Sequence, residues 1–388
     1  MNHAPDDRPA PAATDRGTVP SPRRSPHTTP GPRRVPAPRP GDGGSARGRR
    51  LPALASLVLI TVLCLAGLLY LALQMALPVR AFLPEALLAA ALGIVTLAFG
   101  FWVLRRIRPV REPDADASVV AVAWGLFAAT GAGVVANGGL GAVWAKGLGL
   151  DLAGVWGAAL TAPLNEEVLK LAGIVLVAVA FPTSVRGPVD GFAIGSLVGL
   201  GFEVTENFIY SMNAVLMAGG TGGLAPVVQT AVIRVGLTGP GSHWAMSAVA
   251  GTAVGLLAAV GWRPRTRRAV CAALLVALAM ALHWLLDAPL FSGVLGVLAK
   301  VAVIFATTMA VYLTVRRAYR RRVRDALGSE AEELGMRRSA AVALATRHGR
   351  RRELQRVAQP EQPAVWDRQD RMVRAAEDRA ALYAGHSV

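Results

Sequence analysis

Apolar runs of about twenty residues recur along most of this chain, and that is the length needed to cross a hydrocarbon core of roughly 30 Å. About eight can be read, near residues 51–77, 83–104, 119–136, 152–181, 189–216, 227–260, 269–291 and 294–315. In lipid every backbone polar group must be satisfied within the chain, so runs of this length imply helices. The expected fold class is therefore an all-α, polytopic integral membrane protein. Composition agrees, with 53% hydrophobic and only 17% charged residues, whereas soluble domains carry about a quarter charged.

The formal net charge of +16 is concentrated in the tails and short loops. Cytoplasmic loops hold the excess of Lys and Arg. Basic segments occur at Arg47–Arg49–Arg50, at Arg105, Arg106, Arg108 and Arg111, at Arg263–Arg268 and from Arg316 onward, with Arg186 a weaker member. The intervening connections near Arg80, Lys146, Gly220 and Ser292 are poor in charge. That alternation suits an even number of crossings with both termini cytoplasmic. Residues 1–48, rich in Pro and Arg, read as a disordered cytosolic tail without a secretory signal. Residues 49–315 form the membrane domain, and 316–388 a charged cytosolic tail expected as a solvated helix or two. Cys64 and Cys271 sit in apolar runs and imply no disulfide framework. No zinc-finger spacing or RNA-binding signature accompanies the basic charge, so the lipid bilayer is the expected partner and nucleic acid is not.

Ionisable groups inside spans are costly, and each demands a partner or a role. Here they are concentrated. The fourth span carries Asn165–Glu166–Glu167–Val168–Leu169–Lys170, where Lys170 reaches back one turn to either acid. The fifth carries Glu203, Glu206 and Asn207 after a series of glycines that permit close helix approach. The sixth carries Arg234, a Gly239–Pro240–Gly241 break, then His243 and Ser247 on a common face of a fresh helix. The seventh ends in His283 and Asp287, spaced i to i+4. Counted along the helices, Glu166, Glu206, His243 and His283 fall near the midplane or in the half away from the cytoplasm. Taken singly, each is commonly a structural partner: Glu203 pairs with Arg234 or Lys170 as readily as it takes a direct role, and Lys170 is first a counter-ion. Lys300 is expected to snorkel, and Glu85 and Asp190, at span ends, to need no special partner. Together, the acids and imidazoles supply a general base, a general acid and ligands for a divalent metal.

Glu166-Glu167-x-x-Lys170, Phe202-x-x-x-Glu206-Asn207, His243-x-x-x-Ser247 and His283-x-x-x-Asp287, in that order on successive spans, resemble the PrsW family of intramembrane proteases. That family is distantly similar to the CAAX-processing membrane proteases. The likeness covers roughly residues 150–291. It implies peptide-bond hydrolysis in a bacterial plasma membrane, on a membrane-anchored substrate such as an anti-sigma factor. In that reading Glu166 or Glu167 activates water, Glu206 and His243 bind or polarise around it, and His283 with Asp287 stabilises the oxyanion. Lys170, Glu203, Asn207, Ser247 and Arg234 support them. Similar enzymes are described as metallopeptidases or as glutamate-dependent hydrolases, so zinc or another divalent metal on Glu206, His243 and His283 is one expectation. The absence of His-Glu-x-x-His sets the chain apart from zincins. A proton- or cation-coupled transporter or channel, or an inactive membrane scaffold, would also use buried carboxylates and histidines. No internal repeat of the transporter kind is present.

Overall fold

The structure, a computed structural model, describes residues 43–291, 293–333 and 337–384. Most of the expected disordered tail, residues 1–42, lies outside the described residues. The chain divides into Met1–Ala46 and a compact unit, Arg47–Val388, that contains everything discussed below.

Among the described residues the fold is helical throughout, without strands. Helix α1 (Gly43–Ala81) turns directly into α2 (Leu83–Arg105) at Phe82, with Pro84 in the first turn of α2, where its missing N–H costs no hydrogen bond. Helices α3 (Ala115–Ala123) and α4 (Thr130–Leu148) are one rod widened by a π turn at Trp124–Ala129. They are followed by α5 (Leu150–Ala180), α6 (Pro188–Met217) and the short α7 (Ala225–Ala231). A π turn (Val232–Leu237) and a 3-10 turn (Gly239–Gly241) then lead into α8 (His243–Ala258). The remainder is α9 (Thr266–Asp287), α10 (Gly293–Glu333), α11 (Arg338–Ala343), α12 (Arg347–Gln355) and α13 (Gln362–Ala384).

Six of the expected eight crossings are single helices long and apolar enough to span a membrane: Arg50–Ala81, Leu83–Arg105, Ala115–Leu148, Pro188–Met217, Thr266–Asp287 and Gly293–Glu332. The fourth and sixth expected runs fall short for a physical reason. Helix α5 is continuous over 31 residues, but Asn165, Glu166, Glu167 and Lys170 lower its hydropathy. The sixth run is cut in two by the Gly239–Gly241 turn. The first departure is made by polar side chains and the second by the Gly-Pro-Gly turn.

Helix α6 is the most buried of the spans. Its glycines let α8 touch it backbone to backbone: a Cβ on Gly195 would collide with the Ser247 carbonyl oxygen, and one on Gly199 with that of His243. This contact sets His243 one to two turns from Glu203 and Glu206. On the other flank, the Trp124 indole N–H donates to the Leu169 carbonyl at 3.0 Å, fixing the π turn between α3 and α4 against the turn of α5 that carries Lys170. The Gly239 carbonyl at the break is also satisfied, since Trp244 Nε1 donates to its oxygen at 2.7 Å.

Three expectations, two about isolated charges and one about the C-terminal tail, need correction. Lys300 does not snorkel: it is buried, and its Nζ donates to the carbonyls of Leu286 and Ala288 at 3.1 and 2.5 Å. Those carbonyls close the C-terminus of α9, where acceptors lack intrahelical partners and the dipole favours a cation. Asp190 is not idle at a span end but buried against Arg108 Nε at 2.6 Å. Nor is the C-terminal tail a loose solvated helix. Helices α11 and α13 pack on the extension of α10 around Val323, Leu327, Leu344, Val373 and Ala376, with Val110 from the turn after α2. Glu377 of α13 accepts from Arg108 and Arg111 at 3.0 and 3.2 Å and from the Tyr319 hydroxyl. The arginine-bearing turns after α2 and before α6, and the tail after α10, thus meet at one end of the bundle.

Candidate active site

The polar residues of α5, α6, the broken α7–α8 segment and α9 converge on one layer. Lys170, completely buried, donates to Glu167 Oε1 at 2.8 Å and to Glu166 Oε2 at 3.3 Å, and its Nζ lies 2.9 Å from His243 Nδ1. The Phe202 ring covers it at 4.0 Å. Lys170 is thereby the counter-ion of both acids in its own helix. His243 Nε2 lies 2.8 Å from Glu206 Oε2, and the same oxygen accepts from Arg234. Arg234 Nε donates to Asn207 Oδ1 at 2.5 Å, and its guanidinium lies over the Tyr210 ring at 3.9 Å. His283 Nδ1 is 2.9 Å from Glu167 Oε1, while its Nε2 faces Asp287 Oδ2 at 3.4 Å and Glu166 Oε2 at 3.7 Å.

Glu166, Glu206, Asn207, Arg234, His243 and His283 line a cavity of about 470 Å³ that also receives Glu203 and Asp287. Glu203 pairs with neither Arg234 nor Lys170; it accepts from Ser242 Oγ at 2.5 Å, tying the broken helix to α6. Glu167 is absent from the cavity wall and acts from behind it, through His283 and Lys170. Ser247 is likewise absent from the wall, and its hydroxyl is buried without a hydrogen-bond partner. A small side chain there serves the α6–α8 contact. Sequence reasoning missed Asn137, whose Nδ2 donates to Glu166 Oε1 at 2.8 Å and whose Oδ1 accepts from Asn165. A single amide in an otherwise apolar span was the available signal.

One carboxylate oxygen of Glu166 and one ring nitrogen each of His243 and His283 lie within 4.8 Å of one another, all three residues buried. The grouping differs from the expected ligand set in its carboxylate. Glu206 is drawn to the opposite nitrogen of His243 and to Arg234, and Glu166 stands in its place. Two imidazoles and one carboxylate form a donor set that zinc accepts. Each imidazole meets a further carboxylate through its remaining nitrogen, Glu206 for His243 and Glu167 for His283, the outer arrangement that orients metal-binding histidines. Charge points the same way, since Glu166, Glu167, Glu203, Glu206 and Asp287 face only two permanent cations, Lys170 and Arg234. Glu167 Oε2 is buried without a hydrogen-bond partner as well. These residues fit a divalent metal.

Comparison with curated proteins and with solved structures gives no match. A family model does match, that of the PrsW family intramembrane metalloprotease, over residues 114–315. This stretch exceeds half of the 388 residues and contains every side chain of the layer just described. The chain therefore belongs to the PrsW family of intramembrane metalloproteases.

Proposed function

We propose that this protein hydrolyses a peptide bond of a membrane-anchored protein, such as an anti-sigma factor, in the half of the bilayer away from the cytoplasm. The reading includes eight crossings of a bacterial plasma membrane, with α5 and the broken α7–α8 segment as the fourth and sixth, and both termini in the cytoplasm. It is supported above all by the buried grouping of Glu166, His243 and His283 on the wall of a cavity between spans. Glu166, His243 and His283 would hold the metal, which when bound supplies a Lewis acid and lowers the pKa of water.

Every other part of the chemistry is carried by side chains. Glu206 and Glu167 hold the two rings in orientation by accepting from their outer nitrogens. Asp287 is the cavity carboxylate with the fewest partners, 3.4 Å from His283 Nε2, which suits it to accept a proton from the attacking water and return it to the leaving amine. Arg234, anchored by Asn207 and Glu206 on the cavity wall, presents positive charge to an oxyanion. A second reading has one observation in its favour. The Lys170 ammonium stands 2.9 Å from His243 Nδ1 and 3.3 Å from Glu166, a cation already set among the proposed ligands, as a glutamate-dependent hydrolase without metal would require.

Purified full-length protein, incubated in liposomes with a membrane-anchored reporter, tests both. Cleavage that is lost in Glu166→Gln and His283→Ala, removed by a chelator and restored by zinc supports the metal reading. Loss in the variants with indifference to chelation supports the second. Undiminished cleavage in Glu166→Gln would sink both.

A further inference from the structure

A second cavity, also about 470 Å³, opens between the turn after α2 and helices α12 and α13. Its arginines lie outside residues 114–315, so it is a feature of this chain beyond the family match. Seven arginines line it against three carboxylates, Glu112, Asp114 and Asp370. The acids are already engaged. Glu112 pairs with Arg105 and Arg106 at 3.6 and 3.7 Å, Asp370 with Arg350 and Arg374 at 3.1 and 2.6 Å, and Asp114 accepts from Ser184 Oγ. Positive charge is left over.

Two of the lining arginines carry a buried donor without an acceptor. Arg350 is 3% exposed and its Nε is buried without a hydrogen-bond partner, as is the Nε of Arg105. Burial, together with the cations Arg106, Arg351 and Arg108, pushes the Arg347 guanidinium below its ordinary value despite Glu112. A buried guanidinium donor gains most from an anionic oxygen, and the planar fork of arginine matches phosphate. Height in the bundle adds to this. Arg106 stacks over Trp102 at 4.3 Å, and Trp102, 56% exposed at the end of an apolar span, marks the level where aromatic side chains meet lipid headgroups.

We propose that this cavity binds a phosphate group, presented by an anionic phospholipid headgroup or by a soluble phosphate compound. The proposal is independent of the proteolytic reading. Full-length protein in uncharged detergent is titrated with sodium pyrophosphate, and protein in phosphatidylcholine nanodiscs is compared with and without phosphatidylglycerol, retained lipid being counted by native mass spectrometry. Saturable binding in the nanodisc arm alone assigns the phosphate to lipid, and binding of pyrophosphate assigns it to a soluble compound. In Arg347→Gln/Arg351→Gln that binding should weaken at least about tenfold, the loss of charge-assisted hydrogen bonds. Arg356→Gln, at an exposed position off the cavity, should bind as wild type. Should the double variant fold poorly, Arg351→Gln alone removes an exposed guanidinium and should weaken binding several-fold. No saturable binding in either arm, or full binding by a folded double variant, overturns the proposal.

Discussion

At the end of the bundle where the tail docks, Arg108, Arg111 and Arg186 surround Asp190 and Glu377, with the Tyr319 hydroxyl closing the network. In the cavity layer, five carboxylates face Lys170 and Arg234 alone. Both clusters are buried, and both join helices distant in sequence. They differ in what is left over. The first is close to neutral and each carboxylate is held by more than one donor, which is how a buried ion pair must be arranged to offset desolvation. The second keeps a surplus of carboxylates over permanent cations, an unpartnered carboxylate oxygen and a cavity of about 470 Å³. A surplus that folding leaves uncompensated marks a place for a ligand of opposite sign.

The sharpest way to break this comparison is to remove one member of the cavity grouping. His243→Ala and Glu166→Gln should each lower reporter cleavage at least about a hundredfold, as loss of an acid–base or metal-holding group does. Thermal unfolding of Glu166→Gln in detergent should move little by comparison, since removing one carboxylate of the surplus offsets the lost contacts. A large loss of stability with activity per folded molecule retained would put the cluster in the structural class. Lys170→Met is the opposite case. It strands Glu166 and Glu167 without their cation, and breaking a buried pair by removing one partner costs about 3 to 5 kcal/mol. Its unfolding temperature should fall more than that of any other single variant in the layer.

At the docked end the expected balance of effects is reversed. Glu377→Gln leaves Arg108 beside Asp190 but removes the charge shared with Arg111 and Arg186, and should cost on the order of 3 kcal/mol. Cleavage per folded molecule should stay within about twofold of wild type, since no cavity residue is touched. A hundredfold loss of turnover in a folded Glu377→Gln protein would show that the two ends are coupled and that the network is not structural alone.

Much of this was legible in the sequence, because intramembrane polar residues stand out against an apolar background. Lys170 as a counter-ion and the pairing of His283 with Asp287 follow from helical spacing, and the fresh helix at His243 follows from the Gly239–Pro240–Gly241 break. Spacing does not say which way a helix is rotated. It therefore leaves open whether Glu166 or Glu167 faces the cavity, and it does not reveal that Glu206 meets both Arg234 and Nε2 of His243. Asn137 was overlooked because one amide in an apolar run carries no pattern. Pairings such as Arg108 with Asp190 and Glu377 join residues far apart in the chain, beyond the reach of periodicity. The tail helices, rich in Ala and Arg, resemble solvated helices, and only their packing around Leu327 and Val373 shows a core.

The smallest expected effect bears on a single charge that belongs to neither cluster. Lys300 Nζ binds the Leu286 and Ala288 carbonyls, and so secures the last turn of α9, which presents His283 and Asp287 to the cavity. Lys300→Met keeps the aliphatic stem and removes the donor, which should cost about 1 kcal/mol, the range of a cation at a helix C-terminus. Thermal unfolding should show a shift well below that of Glu377→Gln, and cleavage should drop more than stability does, because the freed turn lets Asp287 move relative to His283. A snorkelling lysine would behave otherwise: its methionine variant would leave both unfolding and cleavage unchanged, and α9 would then need another explanation for how its end is held.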